Sequence, residues 1–335
     1  MSNTSFTAEA SEHNGFPECC GPCVVVAGPT ASGKSALAMS LAQAVNGEIV
    51  NADSMQVYQD LSILTARPSE EDMQTVPHHM YGILASDVTC DAGLWLDWMH
   101  RVLPEIWSRG RTPVIVGGTG LYLRTLVNGL APVPEVPESV RDRITRDYQI
   151  MGPELFSAYL AEKDPISAAA IPATNRQRMI RAMEVVDHTG HPLSWWQKQP
   201  HRGALPKPPM TVVLEPDRNW LYQRCDARFE IMLAAGALDQ VRALMAQGYG
   251  PAAPVCRGLG TRALMSFLNG NMSKEDAVAL AQRETRNYAK RQLTWFRNQV
   301  SADVRLYPPQ DDLDSPECLS GLLRQVRHDL KISAS

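Results

Sequence analysis

The sequence predicts an α/β protein, a parallel sheet flanked by helices and interrupted by an all-helical insertion. Three observations carry that prediction. Short apolar, β-branched runs alternate with longer helix-periodic stretches through the first third of the 335 residues, the order from which parallel sheets are built. Two Pro-rich segments, "APVPEVPES" at 131–139 and "HRGALPKPPM" at 201–210, bracket a charged stretch with no strand-like run. Beyond the second, "TVVLEPD" restores a strand, so the chain returns to the domain it left.

Residues 1–21 are polar and lack both the apolar core of a secretory signal and the arginines of a transit peptide, so a disordered leader is expected. "CVVVA", 23–27, reads as a buried strand. Gly28 and Gly33 then permit positive φ in a tight loop, and Ser35 opens the helix-periodic "SALAMSLAQAV". "EIVNAD" is the next strand, "AGLWLDWMHRVLPEIWSRG" a helix, "TPVIVGG" a strand and "LYLRTLVNGL" the helix after it. From Val140 to about Pro200 the pattern is helical, and after the strand at 211 helices continue to about residue 300. The expected layout is a core of 22–130 and 202–310, an insertion of 131–201 and a C-terminal tail of 311–335.

Composition is that of an ordinary globular protein, and no apolar run approaches the roughly 20 residues of a membrane span. A cytoplasmic monomer is expected. A net charge of −4 argues against indiscriminate nucleic-acid binding but allows a local basic surface.

Two motifs stand side by side near the N-terminus, Cys20-Gly-Pro-Cys23 and Gly28-x-x-x-x-Gly33-Lys34-Ser35. A redox Cys-x-x-Cys needs its first sulfur at a helix N-terminus. Here the second cysteine runs into a strand instead. Cys90, Cys225, Cys256 and Cys318 offer no second close pair for a closed zinc site, so the cysteines read as ordinary thiols. The second motif has the context its chemistry requires, with a strand before it and a helix after it. Backbone N–H groups and the helix dipole converge on one anion site, Lys34 adds a charge, and the Ser35 hydroxyl can ligate Mg²⁺.

A nucleotide-hydrolysing loop protein usually has a further strand ending in an acid that grips the metal. "PVIV" ends instead in Gly117-Gly118-Thr119 and "TVVL" in Glu215-Pro216. The best candidate acid is Asp53, at the carboxyl edge of the sheet where the loop also opens. Its type and place allow a helix cap, a metal ligand or a base acting on an acceptor.

"GPTASGKSALA", "NADSMQVYQDLSILTARPS", "PHHMYG", "VGGTGLYLRTLVNGL", "NRQRMIRAMEV" and "KRQLTWFRNQ" together resemble the tRNA dimethylallyltransferase (tRNA isopentenyltransferase) family, from residue 22 to about 307. The resemblance implies transfer of a dimethylallyl group from its diphosphate to the exocyclic amine of the adenosine just 3′ of a tRNA anticodon, with Mg²⁺ and without ATP consumption. It implies that Gly28, Pro29, Thr30, Ala31, Ser32, Gly33, Lys34 and Ser35 hold the diphosphate, Ser35 also holding the metal, and that Arg224 assists. Asp53 would be the base on the adenine amine, and Thr119 would touch the bridging oxygen of the diphosphate. Ser54, Met55 and Gln56 would line the tRNA side, joined by Arg141, the run Gln177, Arg178, Met179, Ile180 and Arg181, and Arg257 and Arg262. Thr261 departs from the family by replacing an aromatic residue, and Leu64 stands where glycine is usual.

These residue types suit that chemistry on their own terms. An adenine amine is a poor nucleophile whose proton must leave as the N–C bond forms, and a carboxylate can take it. The departing diphosphate gathers charge that loop N–H groups, Lys34 and Mg²⁺ are placed to meet. "QRETRNYAKRQLTWFRNQ" adds Arg283, Arg286, Lys290, Arg291 and Arg297, which with Arg141 could track a phosphate backbone or simply form a solvated helix face. Other readings remain: a small-molecule kinase, a transferase acting on free adenylate, or a non-catalytic RNA-binding module. The first has no use for the arginine-rich insertion, the second none for the tRNA-matching blocks, the third none for Lys34 with Asp53 and Thr119.

Overall fold

The computed structural model describes residues 15–17 and 20–330; the expected leader falls mostly outside the described residues. In chain order the elements are β1 (Val24–Ala27), α1 (Lys34–Ala44), β2 (Gly47–Asn51), α2 (Glu70–Thr75), β3 (His78–His79), α3 (Ala92–Ser108), β4 (Thr112–Gly117) and α4 (Gly120–Asn128). A helical stretch follows, α5 (Glu138–Lys163), α6 (Pro165–Ala170), α7 (Arg176–Thr189) and α8 (Leu193–Trp196). Then come β5 (Met210–Leu214), α9 (Arg218–Ala234), α10 (Ala237–Ala246), α11 (Thr261–Leu268), α12 (Lys274–Gln299), β6 (Val304–Leu306) and α13 (Pro316–Leu330). The backbone falls into two compact units, Asn128–Ala204 and the remainder.

The first unit is built on one six-stranded sheet, order β3-β2-β4-β1-β5-β6, with every pairing parallel. β1 is central: Val24 pairs with Val114 on one side and Met210 on the other. Its four residues are buried on both faces, which is why it reads as an unbroken apolar run rather than an alternating one. Val24 and Val26 pack with Leu37 and Leu41 of α1, Val114, Val116, Val212 and Leu214. Leu322, Val326 and Leu330 of α13 join the same cluster, so the segment named as a C-terminal tail contributes a helix to the core. α12 presents Ala277, Ala281 and Ala289 at near-four-residue spacing, small side chains that bring its backbone close to α9.

The second unit is helical throughout. Ile144, Tyr148, Phe156, Leu160, Met179 and Met183 form its own core, and α5 breaks at Gly152, whose φ is 74°, ahead of Pro153. An antiparallel bridge between Leu130 and Arg202 ties its entry to its exit.

Candidate active site

β2, β4 and β1 lie side by side, so the segment after β2, the turn after β4 and the β1–α1 loop all open at the carboxyl edge of the sheet. Each carries residues that the sequence singled out.

The β1–α1 loop ends in Gly33, which caps α1 at φ 95°, a conformation an L side chain resists. Within the loop, the Ser32 N–H donates to the Pro29 carbonyl at 3.4 Å and the Thr30 N–H to Gln292 Oε1 at 2.9 Å. The N–H groups of the first turn of α1 have no intrahelical partner and lie at the positive end of its dipole. The Ser32 hydroxyl is buried without a hydrogen-bond partner among the described residues, while Ser35 is exposed. Lys34 Nζ donates to the Pro29 carbonyl at 3.3 Å. Part of Lys34 reaches solvent, yet burial around the ammonium pulls its pKa down to about 8, an effect that the charge of Asp53 opposes and that of Arg228 reinforces.

Asp53 is held by its neighbours. Its N–H donates to Asn51 Oδ1 at 2.8 Å, and Asn51 Nδ2 donates back to the Asp53 carbonyl and to that of Met80, both at 3.0 Å. Asp53 Oδ1 accepts the Met55 N–H at 2.9 Å and caps no helix; its second oxygen has no hydrogen-bond partner among the described residues. The negative charge raises the pKa of Tyr81, Tyr122 and Tyr288, each also raised, and more strongly, by burial. Lys34 and Arg228 feel the same charge, which works to raise the pKa of each against the larger lowering by burial.

Thr119 joins the turn after β4 to the segment after β2. Its Oγ1 accepts the Ser54 N–H at 3.0 Å, its N–H donates to the Ala52 carbonyl at 3.2 Å, and its hydroxyl donates to Ser54 Oγ at 3.5 Å. Ser54 and Thr119 are therefore tied together, next to Asp53. Met55 is half-buried beside them, and Gln56 is braced internally, its amide donating to the carbonyls of Thr65 and Ala66 at 2.9 and 2.8 Å.

Two arginines of α9 reach the β1–α1 loop. Arg224 Nε donates to the Ala31 carbonyl at 3.0 Å while its guanidinium lies over the Trp220 ring. Arg228, one turn on, bonds the Thr30 hydroxyl and is buried deeply enough for desolvation to lower its pKa. Sequence reasoning named Arg224 and missed Arg228; the signal was available in their four-residue spacing, which puts both on one helix face.

The basic residues sort into paired and unpaired. Arg286 is bound to Asp226 at 2.6 Å and Arg297 to Glu215 at 2.7 Å, so Glu215 is occupied by arginine. Lys290, Arg291, Asn287 and Trp295 line an open groove of about 640 Å³ along α12. Arg257, Arg262 and Arg291 line a neighbouring one of about 340 Å³ together with Glu284. Thr261, in place of an aromatic, is fully buried at the start of α11. Leu64 needs no glycine, since positive φ falls at Leu61 and Ala66 instead.

In the helical unit, Gln177 and Arg178 are exposed, whereas the side chains of Met179 and Ile180 pack into the core, since an α-helix cannot turn the five consecutive side chains 177–181 to one side. Arg141 and Arg181 flank one buried carboxylate, Glu184, at 3.8 and 3.5 Å. Cys20 and Cys23 are both buried and unbridged, and Cys23 is without the lowered thiol pKa that a reactive cysteine needs. Cys23 is buried at the base of β1, with burial raising its pKa to about 12.

No three His, Cys, Asp or Glu side chains cluster as metal ligands among the described residues, and no helix there is long and apolar enough to cross a membrane. Residues 56–299 match the family described as IPP transferase, and residues 22–81 the one described as isopentenyl transferase. The chain is 49% identical over 282 residues to a tRNA dimethylallyltransferase of Parvibaculum lavamentivorans, covering 84% of this chain and 90% of that one. To that of Rhodospirillum centenum it is 46% identical over 291 residues, covering 86% and 92%. Among solved structures it is similar to the full-length tRNA isopentenylpyrophosphate transferase of Bacillus halodurans, with a TM-score of 0.67, 30% identity and coverage of 92% and 97%. A eukaryotic dimethylallyltransferase acting on tRNA gives a TM-score of 0.78 at 26% identity, covering 93% of this chain and 79% of that one.

Proposed function

The chain belongs to the IPP transferase family, and from that premise we propose that it transfers a dimethylallyl group from dimethylallyl diphosphate to the exocyclic amine of the adenosine just 3′ of a tRNA anticodon. The observation that supports this most is the placement of a carboxylate, Asp53, next to Ser54 and the Thr119 hydroxyl tied to it, beside a lysine- and arginine-lined loop.

In this reading the N–H groups that open α1, with Lys34, Arg228 and Arg224, hold the diphosphate. Asp53 accepts the proton that leaves the adenine amine as its nitrogen bonds the allylic carbon, and the bond from that carbon to the bridging oxygen breaks. The Thr119 hydroxyl sits at that oxygen. Negative charge appearing on the diphosphate is met by groups fixed before the reaction begins, the condition under which electrostatic stabilisation is strongest. A Lys34 pKa of about 8 leaves the ammonium protonated at neutral pH, and a bound diphosphate raises that value further.

The residues fit Mg²⁺ of the kind held largely by a substrate. Ser35 offers one hard oxygen in the first turn of α1, and magnesium in phosphate sites commonly takes only one or two protein ligands, the rest being phosphate and water. When bound it neutralises charge on the diphosphate.

Arg178, Gln177, Arg141 and Arg181 are the tRNA-facing candidates of the helical unit, as are Arg257, Arg262, Lys290 and Arg291 of the other. A tRNA substrate accords with the cytoplasmic location expected from the sequence. The test is incubation with dimethylallyl diphosphate and either bulk tRNA or AMP, followed by nucleoside mass spectrometry. N6-dimethylallyladenosine in tRNA supports the reading; product on AMP alone would replace it with an adenylate transferase.

A further inference from the structure

We infer that Gln292 is a positioning residue for the transfer reaction, a clamp that fixes the diphosphate loop relative to Thr119. The inference rests on the reaction proposed above and adds a residue to it that touches neither substrate.

Gln292 lies on the buried face of α12 and is 5% exposed. Its amide is used at both ends. Oε1 accepts the Thr30 N–H at 2.9 Å, and Nε2 donates to the Gly118 carbonyl at 2.8 Å. Thr30 belongs to the loop that carries Lys34, and Gly118 precedes Thr119. One planar amide therefore sets the separation between the leaving-group side and Thr119, which is tied to Ser54 next to Asp53. An amide suits this position because one contact needs an acceptor and the other a donor, and the two ends of one planar group supply them. A carboxylate would face the Gly118 carbonyl with no proton to give, and an apolar side chain would leave the partly buried Thr30 N–H and the buried Gly118 C=O without these partners.

Gly118 shows how closely the clamp is built. A Cβ added there would lie 2.2 Å from Gln292 Nε2 and 3.2 Å from the Gly28 carbonyl, so glycine at 118 is what lets the amide reach the backbone. The packing of α12 supports the same role: Ala289 and Leu293 sit with Ala31, Leu221 and Cys225 in a small cluster beneath the loop, which holds Gln292 in place. Thr30 and Ser32 commit their N–H groups to Gln292 and Pro29, which leaves an anion the N–H groups of Ala31 and Gly33 and those of the first turn of α1, all carried by the loop that the clamp holds.

The experiment compares wild type, Gln292→Met, Gly118→Ala, Gln292→Ala and the Gly118→Ala/Gln292→Ala double variant in the full chain. It measures single-turnover transfer to tRNA, affinity for inorganic diphosphate and thermal unfolding. Misplacing reacting groups by about 1 Å can cost on the order of 10²-fold in rate, so Gln292→Met and Gly118→Ala should each lose about tenfold or more in turnover while diphosphate affinity changes little. In the Gln292→Ala background the Gly118→Ala change should cost little further, since the amide it displaces is already gone. If either single variant fails to fold, the other decides.

Turnover near wild type in Gln292→Met, losses that multiply in the double variant, or a loss of diphosphate affinity as large as the loss of rate would each overturn the clamp. Failure of the wild type to transfer dimethylallyl to tRNA would instead overturn the proposed reaction.

Discussion

Replacing Asp53 with asparagine removes the proposed base while leaving its setting intact. The Asn side-chain oxygen can still accept the Met55 N–H, and the Asn51 contacts that hold the backbone on either side do not involve the carboxylate. Fold and tRNA affinity should therefore change little. An amide cannot take a proton from the adenine amine, and general-base catalysis contributes typically ~10² to 10⁴ in rate, or about 2.7 to 5.4 kcal/mol of barrier. The variant has a second signature. The charge of Asp53 raises the pKa of Lys34, which stands at about 8, so its removal lowers that pKa further. In the wild type kcat/KM for the diphosphate should fall as pH rises through about 8 and Lys34 loses its proton, since this ratio reports the free enzyme. In Asp53→Asn that alkaline limb should move to lower pH. Single-turnover transfer to an anticodon stem-loop across pH 6–10, with tRNA affinity measured separately, reads both effects. Normal turnover with weakened Mg²⁺ affinity would make Asp53 a metal-site residue and refute the assignment.

Three further outcomes are expected. Lys34→Ala should raise KM for the diphosphate and lower kcat, since its charge acts on both the bound and the departing group; unchanged steady-state kinetics would remove the loop from the mechanism. Arg178→Ala should weaken tRNA binding and make the slope of log K against log salt shallower by roughly one unit or slightly less without altering KM for the diphosphate, and a wild-type slope would leave Arg178 a solvated charge. Glu48, buried, accepts from His79 at 2.6 Å and from Arg109 at 3.1 and 2.7 Å; desolvation works to raise its pKa, and these partners more than offset it, so the value is lowered. A depressed carboxylate pKa stabilises above the unfolded value and the contribution is lost as pH falls through the folded one, so Glu48→Gln should lower Tm at pH 7 and flatten its fall below about pH 4. Parallel Tm–pH curves would contradict that.

The strands that could be read from sequence are those whose composition is diagnostic. β1, β4 and β5 are β-branched apolar runs, β2 carries Ile49-Val50 at its centre, and a parallel strand buried on both faces has that look. β3 is two histidines and β6 three residues, too short for a period to register; they exist because neighbouring strands offer them a ladder. Within the site, Lys34, Asp53 and Thr119 stand in motifs with a mechanical meaning, so they could be singled out. Gln292 could not. It is uncharged, it sits in a basic run whose charges draw the eye, and its function depends on two backbone groups more than 170 residues away. Arg141 reads as a free charge until the fold brings Glu184 to it from another helix, a contact that no local pattern encodes, whereas the Arg181–Glu184 pair, three residues apart on α7, is legible in the sequence.

The central claim is that the diphosphate and the adenine amine meet between the β1–α1 loop and Asp53. A crystal structure of the enzyme with an anticodon stem-loop and a non-transferable dimethylallyl thiolodiphosphate tests it most directly. The account predicts diphosphate oxygens within hydrogen-bonding distance of the N–H groups that open α1, of Lys34 and of Arg228, with the amine of an unstacked adenine against the free oxygen of Asp53. Diphosphate bound away from Gly28–Ser35, or an adenine whose amine contacts neither Asp53 nor Thr119, would contradict it.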